Sequence, residues 1–275
     1  MSSADKKANT LHVAALQFEV RTGDIEANLH EVTRLTAEFD PALHNERLDL
    51  LLLPEMALTG FDYLRLPQLA DDAAPALNRL LDTVRDIASH VALSIPFRHA
   101  DGVSNRLIIL STEPGTQAAS YDKIHCIGHG GFRETDFIKP GSEIKTVQLK
   151  GWRIGLSICY DLRFPELYRL QRPDLILLPA QWPSTRHEHL LCLARARAIE
   201  NQACLLLCNM TGKAGRLDFS GNSQIIDAKG TVLADAGITP GLIDVALDRN
   251  ELTGWRKDFP VLEDTTLLQK VDAGK

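Results

Sequence analysis

Three stretches of the chain are apolar without interruption and only as long as a strand: LDLLLLPE (Leu48 to Glu55), DLILLPA (Asp174 to Ala180) and ACLLLCN (Ala203 to Asn209). A strand with one face in water alternates apolar and polar residues, whereas one that is apolar throughout is covered on both faces. Further strand-like runs lie at Leu11 to Phe18, Val91 to Phe97, Asn105 to Ser111 and Gln117 to Tyr121, and in the approach from Trp152 to Cys159. Helical spacing marks Asn28 to Phe39, where Leu29, Val32, Leu35 and Phe39 share a stripe, and also Pro75 to His90 and His187 to Asn201. Near the end, GNSQIID, TVLAD and GLIDVALD are divided by Gly230 and by ITPG in the manner of antiparallel hairpins. This order predicts an α/β fold with helices outside the sheets. Two sheets facing each other between helical layers account for the strands that are apolar on both faces.

The length and apolar content suit one large core: 275 residues, 44% hydrophobic, with no linker, low-complexity tract or internal repeat. Net charge is −6 and no basic run forms a footprint for nucleic acid. No stretch approaches the roughly 20 apolar residues that cross a bilayer, and MSSADKKANT lacks the apolar core of a signal peptide. The expectation is a soluble, cytoplasmic protein that binds neither nucleic acid nor membrane. Five irregularly spaced cysteines read as reduced thiols rather than a disulfide framework.

Among these, Cys159 stands apart. WRIGLSICYDL is a strand-like run that stops at the cysteine, and RFPELYRL after it has helical character. A strand handing over to a helix places the sulfur beside free backbone N–H groups and the positive end of the helix dipole, an environment that favours thiolate, the nucleophilic form. The plainer reading is a small buried hydrophobe. Glu55 closes a buried strand and Lys123 directly follows another. Singly, each has an ordinary explanation in a surface pair or a solvated lysine. Together they stand where α/β sheets gather their ligand sites, outside the carboxyl ends of strands. The loop Ile124 to Gly141, IHCIGHGGFRETDFIKPG, is long and glycine-rich enough to expect a function of its own.

The segments LLLPEMALTGF, YDKIH and ICYDLRFPELYR, spaced as they are, resemble the three signature regions of the nitrilase superfamily of carbon–nitrogen hydrolases. RARAIENQ, the NRL at Asn105, the KPG at Lys139 to Gly141 and GNSQIIDAKG add to the likeness, which runs from about Leu11 to Asp248. The resemblance implies a four-layer α-β-β-α sandwich with two facing mixed sheets. It implies a hydrolase domain over 11–248, between an N-terminal tail (1–10) and a C-terminal extension (249–275) that is a candidate for a dimer interface. It further implies a triad of Glu55 as general base, Lys123 as electrostatic stabiliser and Cys159 as nucleophile. Glu134 then supports Lys123 and positions substrate. No cofactor or metal is expected, and assembly as a homodimer is.

The chemistry fits those residue types. A thiolate turns an amide into a thioester that water can hydrolyse, splitting one hard step into two. A buried carboxylate has its pKa raised toward the operating pH, which suits acid and base roles. An ammonium and the backbone N–H of Tyr160 can form the oxyanion hole.

After the cysteine the chain has Tyr160-Asp161, not the Trp-Glu that resembles true nitrilases, and it lacks the CNDRRWPE-like pattern of carbamoylases. With AQWP and RARAIENQ it is most similar to the ω-amidase branch. That branch acts on the terminal amide of 2-oxo dicarboxylate monoamides such as 2-oxoglutaramate, and close relatives act on deaminated glutathione. A carboxylate-bearing substrate calls for a cation: Arg163 is the candidate, unless it pairs internally with Asp161 or Glu166. Trp182 is either a pocket wall or core. His189-Leu190, where related amidases have His-Trp, and the glycine-rich CIGHGGFRE depart from the pattern near the substrate site.

Other readings are a deaminated-glutathione amidase, N-carbamoyl hydrolase or aliphatic amidase of the same superfamily, a non-catalytic binding protein on this fold, and a zinc hydrolase. The last would use His125, Cys126, His129, His187 and His189, whose spacing matches no standard zinc pattern. Cys192, Cys204 and Cys208 read as buried, inert thiols, and Arg197 and Glu200 as a pair on one helix face.

Overall fold

The computed structural model describes residues 9–39, 47–113, 117–128 and 133–264. Two six-stranded mixed sheets form its centre. In the first the strand order is β14-β1-β2-β3-β4-β5, built from β1 (Thr10–Gln17), β2 (Leu50–Leu52), β3 (His90–His99), β4 (Gly102–Ser111), β5 (Gln117–Asp122) and β14 (Gly241–Asp248). In the second it is β13-β12-β9-β8-β7-β6, from β6 (Thr146–Leu149), β7 (Trp152–Leu156), β8 (Leu175–Ala180), β9 (Cys204–Asn209), β12 (Gln224–Ile226) and β13 (Val232–Asp235). Each sheet has a parallel centre, β1-β2-β3 or β7-β8-β9, flanked by antiparallel partners.

The apolar runs are explained by what lies on either side of them. Leu11, Val13, Ala15, Leu50 and Leu52 point toward the second sheet and join a core that includes Ile154, Leu156, Leu175, Leu177, Leu205 and Leu207. The alternate residues Ala14, Leu16, Leu51 and Leu53 point outward, against α1 (Ile25–Thr36) and α2 (Leu66–Val84) through Leu29, Val32, Leu35, Leu80 and Val84. On the far side, α3 (Pro165–Gln171) and α4 (His187–Asn201) cover the second sheet through Leu167, Tyr168, Leu190, Ala194 and Ala198. The result is the α-β-β-α sandwich with facing mixed sheets. Truncating any of these leucines to alanine removes about 2–5 kcal/mol.

Several boundaries differ from the sequence expectation. The second helix starts at Leu66, not Pro75: Pro67 occupies its first turn, where a missing N–H costs nothing, and Pro75 is carried inside. The LDLLLLPE run pairs as a strand only over Leu50–Leu52 before turning. Two elements carry no strong pattern and were not anticipated: β6, and the hairpin of β10 (Thr211–Ala214) with β11 (Leu217–Ser220).

Beyond residue 248, α5 (Arg249–Asp258) packs back onto the fold through Leu252, and Arg256 is ion-paired with Asp174 at 2.5 Å. Residues 1–8 of the expected tail (1–10) and the end of the expected extension (265–275) lie outside the described residues, and Thr10, expected in the tail, opens β1. No helix among the described residues is long and apolar enough to cross a membrane.

Candidate active site

The carboxyl ends of strands from both sheets meet at one edge of the sandwich. Beyond β2 the chain turns sharply at Met56, whose φ of +48° and N–H bond to Ser94 Oγ (2.8 Å) fix the direction of Glu55. Glu55 is 1% exposed. Its Oε1 accepts hydrogen bonds from Lys123 Nζ (3.0 Å) and Asn105 Nδ2 (2.8 Å), and its Oε2 from the backbone N–H of Gln181 (3.0 Å). Gln181 Nε2 in turn donates to the Glu55 carbonyl at 2.8 Å, so the end of β8 grips the end of β2 across the two sheets.

Lys123 follows β5 and is 2% exposed. Its backbone is held on both sides, its N–H by Asn105 O at 2.9 Å and its carbonyl by the N–H of Gly141 at 2.8 Å. The glycine is required there, because a Cβ at position 141 would lie 2.2 Å from the Asp122 carbonyl oxygen. The ammonium also bonds Glu134 Oε1 at 2.8 Å. Glu134 sits in a short 3-10 turn, Glu134–Asp136, and its Oε2 accepts from Ile127 N–H at 3.0 Å.

Cys159 opens another 3-10 turn, Cys159–Arg163, immediately after β7, with a φ of +45°. A left-handed conformation at a non-glycine residue costs energy and persists where the surroundings over-determine it. The charges of Glu55 and Lys123 both act on its buried thiol. Glu55, Lys123, Glu134 and Cys159 thus form one buried cluster drawn from four separated segments.

The electrostatics correct the expectation of a resting thiolate. Burial first and the Glu55 carboxylate second push the Cys159 thiol well above its ordinary value. Burial likewise raises Glu55, with Lys123 opposing and Glu134 adding to the rise. Burial alone would lower Lys123, but Glu55 and Glu134 outweigh it and hold the ammonium well above its usual range. A thiolate beside two carboxylates would place three negative charges around one ammonium. Burial and the Glu55 charge thus favour the thiol over the thiolate in the resting cluster. The anticipated helix dipole is weak here, since α3 begins only at Pro165.

The sequence profile described as carbon-nitrogen hydrolase matches residues 12–257. This chain belongs to the carbon–nitrogen hydrolase family. A 2-oxoglutaramate amidase of Bacillus subtilis is 34% identical over 260 residues, covering 92% of this chain and 96% of that protein. An omega-amidase of Yersinia enterocolitica is 35% identical over 271 residues, covering 94% and 97%. Among solved structures, a CN-hydrolase superfamily protein of Xanthomonas campestris with an arsenic adduct in its active site superposes with a TM-score of 0.82. It is 29% identical, covering 93% of this chain and 97% of that one. As a member of the family the chain is a hydrolase of carbon–nitrogen bonds.

The other expected site residues of this carbon–nitrogen hydrolase fall beside the Cys159 turn. Tyr160 follows Cys159 and packs edge-on to Phe164. The Arg163 guanidinium lies 4.6 Å from the centre of the Trp182 ring and 5.7 Å from that of Tyr160. It makes no ion pair among the described residues, neither with Asp161 nor with Glu166; Asp161 is taken by Tyr121, His125 and Ile158 N–H. Trp182 is core on one side and a platform for Arg163 on the other, with its Nε1–H bonded to Arg186 O at 2.8 Å. Arg197 and Glu200 pair at 2.9 Å as expected.

Sequence reasoning passed over three side chains here. Asn105 and Gln181 hold Glu55, and only their place beside NRL and AQWP hinted at them. Tyr63 stacks on Phe61 and meets Phe137 at a tilt of 47°, and burial, followed by the charges of Glu134 and Glu55, raises its phenol well above the ordinary range.

No three His, Cys, Asp or Glu side chains among the described residues are arranged to hold a metal ion. His125 is bound to Asp161 and His187 to Ser220 Oγ, while His129 lies outside the described residues. Cys204 and Cys208 are buried, and burial pushes Cys204 up to about 12. Cys192, expected to be buried, is exposed, because α4 has apolar residues on several sides and the sequence gives no single inward face. A cavity of about 350 Å³ is lined by His99, Ser104, Arg106 and Asp122, and none of Glu55, Lys123, Glu134 and Cys159 lines it.

Proposed function

We propose that this hydrolase cleaves the terminal amide of a small, carboxylate-bearing substrate of the ω-amidase type, such as 2-oxoglutaramate, releasing ammonia. The observation that carries the reading is the buried Cys159 thiol under the charge of Glu55, a carboxylate that also binds an ammonium held between two carboxylates. In this reading Glu55 takes the thiol proton as sulfur attacks the amide carbon. The negative oxygen of the tetrahedral intermediate meets the Lys123 ammonium and the backbone N–H of Tyr160. Glu55 returns the proton to the departing nitrogen, the C–N bond breaks, and a thioester remains on Cys159. A water deprotonated by Glu55 then releases the carboxylate and restores the thiol. Glu134 keeps Lys123 charged and aimed.

The substrate class rests on the names of the two amidase relatives and on Arg163. Its guanidinium, half-buried on Trp182 and without an ion pair among the described residues, has donors left to bind a carboxylate in two-pronged fashion. The test is ammonia release from a panel holding 2-oxoglutaramate, glutamine, deaminated glutathione and simple aliphatic amides, with Cys159→Ala as blank. Preference for the 2-oxo dicarboxylate monoamide, lost in the blank, supports the reading. Equal turnover of neutral aliphatic amides, or carbon dioxide release from N-carbamoyl compounds, overturns it.

The same proposal includes a homodimer working in the cytoplasm. Leu170 on α3 and Ile199 on α4 are exposed apolar residues on the outer helical layer, and all five cysteines are free thiols, as a reducing compartment keeps them. Sedimentation at micromolar concentration distinguishes dimer from monomer.

A further inference from the structure

Asp161 is fully buried, and no lysine or arginine contacts it among the described residues. Four donors surround its carboxylate instead, and their distribution is informative. Oδ2 accepts from Ile158 N–H (2.9 Å) and from the Tyr121 hydroxyl (2.7 Å); Oδ1 accepts from the backbone N–H of His125 (2.9 Å) and from its ring Nδ1 (2.8 Å). Asp161 lies two residues after the nucleophile. Tyr121 and His125 lie two residues before and two after Lys123.

We propose that Asp161 is a positioning residue that locks the nucleophile turn to the lysine segment, and that Tyr121 and His125 are the two handles by which it does so. This rests on the reading of Cys159 and Lys123 given above and adds how their separation is set. On the nucleophile side the grip is reciprocal: Ile158 N–H donates to the side chain while Asp161 N–H donates to Ile158 O at 3.0 Å, closing a loop around the left-handed Cys159. On the lysine side, Tyr121 is kept a donor because burial and then the Asp161 charge raise its phenol well above the ordinary range. Its oxygen also accepts from Ile124 N–H at 3.3 Å. The His125 ring is clamped from the other direction, stacked on Phe164 with centroids 3.6 Å apart and planes at 8°. Every motion of Lys123 relative to Cys159 therefore strains a hydrogen bond to one buried carboxylate. An oxyanion donor works only when fixed in place before the charge appears.

Because Asp161→Asn sets an NH2 donor against two of the four donors and endangers the fold itself, the test falls on the handles. Tyr121→Phe, His125→Ala and His125→Asn are compared with the parent for kcat, KM, thermal midpoint and the rate at which iodoacetamide alkylates Cys159. Alkylation consumes the thiolate but forms no oxyanion, so it does not call on a well-placed oxyanion donor. The nucleophile turn keeps its own bond to Asp161 in all three variants. The expected result is a kcat lowered about tenfold or more by Tyr121→Phe and His125→Ala with KM little changed, unchanged alkylation, and recovery in His125→Asn, whose amide can replace the Nδ1 donor. Unchanged kcat overturns the proposal. So does a fall of kcat and alkylation in step with lost folded protein, with His125→Asn no better than His125→Ala. Cys159→Ala separates the two levels: turnover surviving there defeats the nucleophile assignment, whatever the handles do.

Discussion

Lys123 Nζ stands 3.0 Å from Glu55 Oε1, joining residues 68 positions apart, and neither side chain is open to water. An ion pair this deep is a poor device for stability, since desolvation cancels much of the attraction. It is a good device for chemistry, because it stores a fixed positive charge next to a carboxylate whose own charge acts on the Cys159 thiol.

Lys123→Ala should lower turnover about 10²–10³-fold, the usual cost of an oxyanion donor. It should also lower the melting midpoint, because Glu55 and Glu134 are left facing each other without their ammonium. Adding Glu134→Gln to that variant should restore part of the midpoint and none of the activity. Thermal denaturation and ammonia release read the two effects separately, and recovery of activity in the double variant would refute the role given to Lys123.

The pH profile has a definite sign. Glu55 acts as base when ionised, so the rate rises with pH through its folded value, which burial sets above the ordinary carboxylate range of about 4.3. Glu134 contributes to that rise, so Glu134→Gln should move the acid limb of kcat/KM to lower pH while lowering kcat. A limb that stays in place or moves upward contradicts the coupling.

Gly141→Ala forces a methyl against the Asp122 carbonyl, and the yielding atoms are backbone of the segment that aims Lys123. The expected cost is about 1–3 kcal/mol of stability with a parallel loss of activity. Gly254→Ala, inside α5 with open space around its Cβ, should stabilise by about 0.5–1 kcal/mol and leave activity alone. Urea unfolding and turnover of both variants check the contrast.

Arg163→Ala should raise KM for a carboxylate-bearing amide about 10–100-fold, the loss of hydrogen bonds to a charged group, and leave a neutral amide nearly unaffected. Arg163→Lys should recover only part, because an ammonium lacks the planar fork. Equal KM increases for charged and neutral amides would place Arg163 in packing rather than recognition.

Much of this architecture is visible in the sequence because it depends on patterns that the chain repeats. Uninterrupted apolar runs such as LDLLLLPE imply strands covered on both faces, and reactive residues at the ends of such runs mark one edge of the sheets. What stayed hidden depends on contacts between distant segments. The state of the Cys159 thiol is set by burial and by Glu55 from another sheet, so a local reading of strand, turn and helix gave the wrong sign. Asp161 looked like a partner for its neighbour Arg163 until β5 and the loop after it supplied Tyr121 and His125 from the other side. The exposure of Cys192 was illegible for a related reason: α4 is apolar on several sides, and only its packing decides which side faces in.

The central claim is that the acyl group passes through Cys159. Mass spectrometry of enzyme quenched in acid during turnover of 2-oxoglutaramate tests it directly. The account predicts a substrate-derived acyl mass on the peptide bearing Cys159, removed by hydroxylamine and absent from Cys159→Ala. An adduct on any other residue, or continued ammonia release by Cys159→Ala, would contradict it.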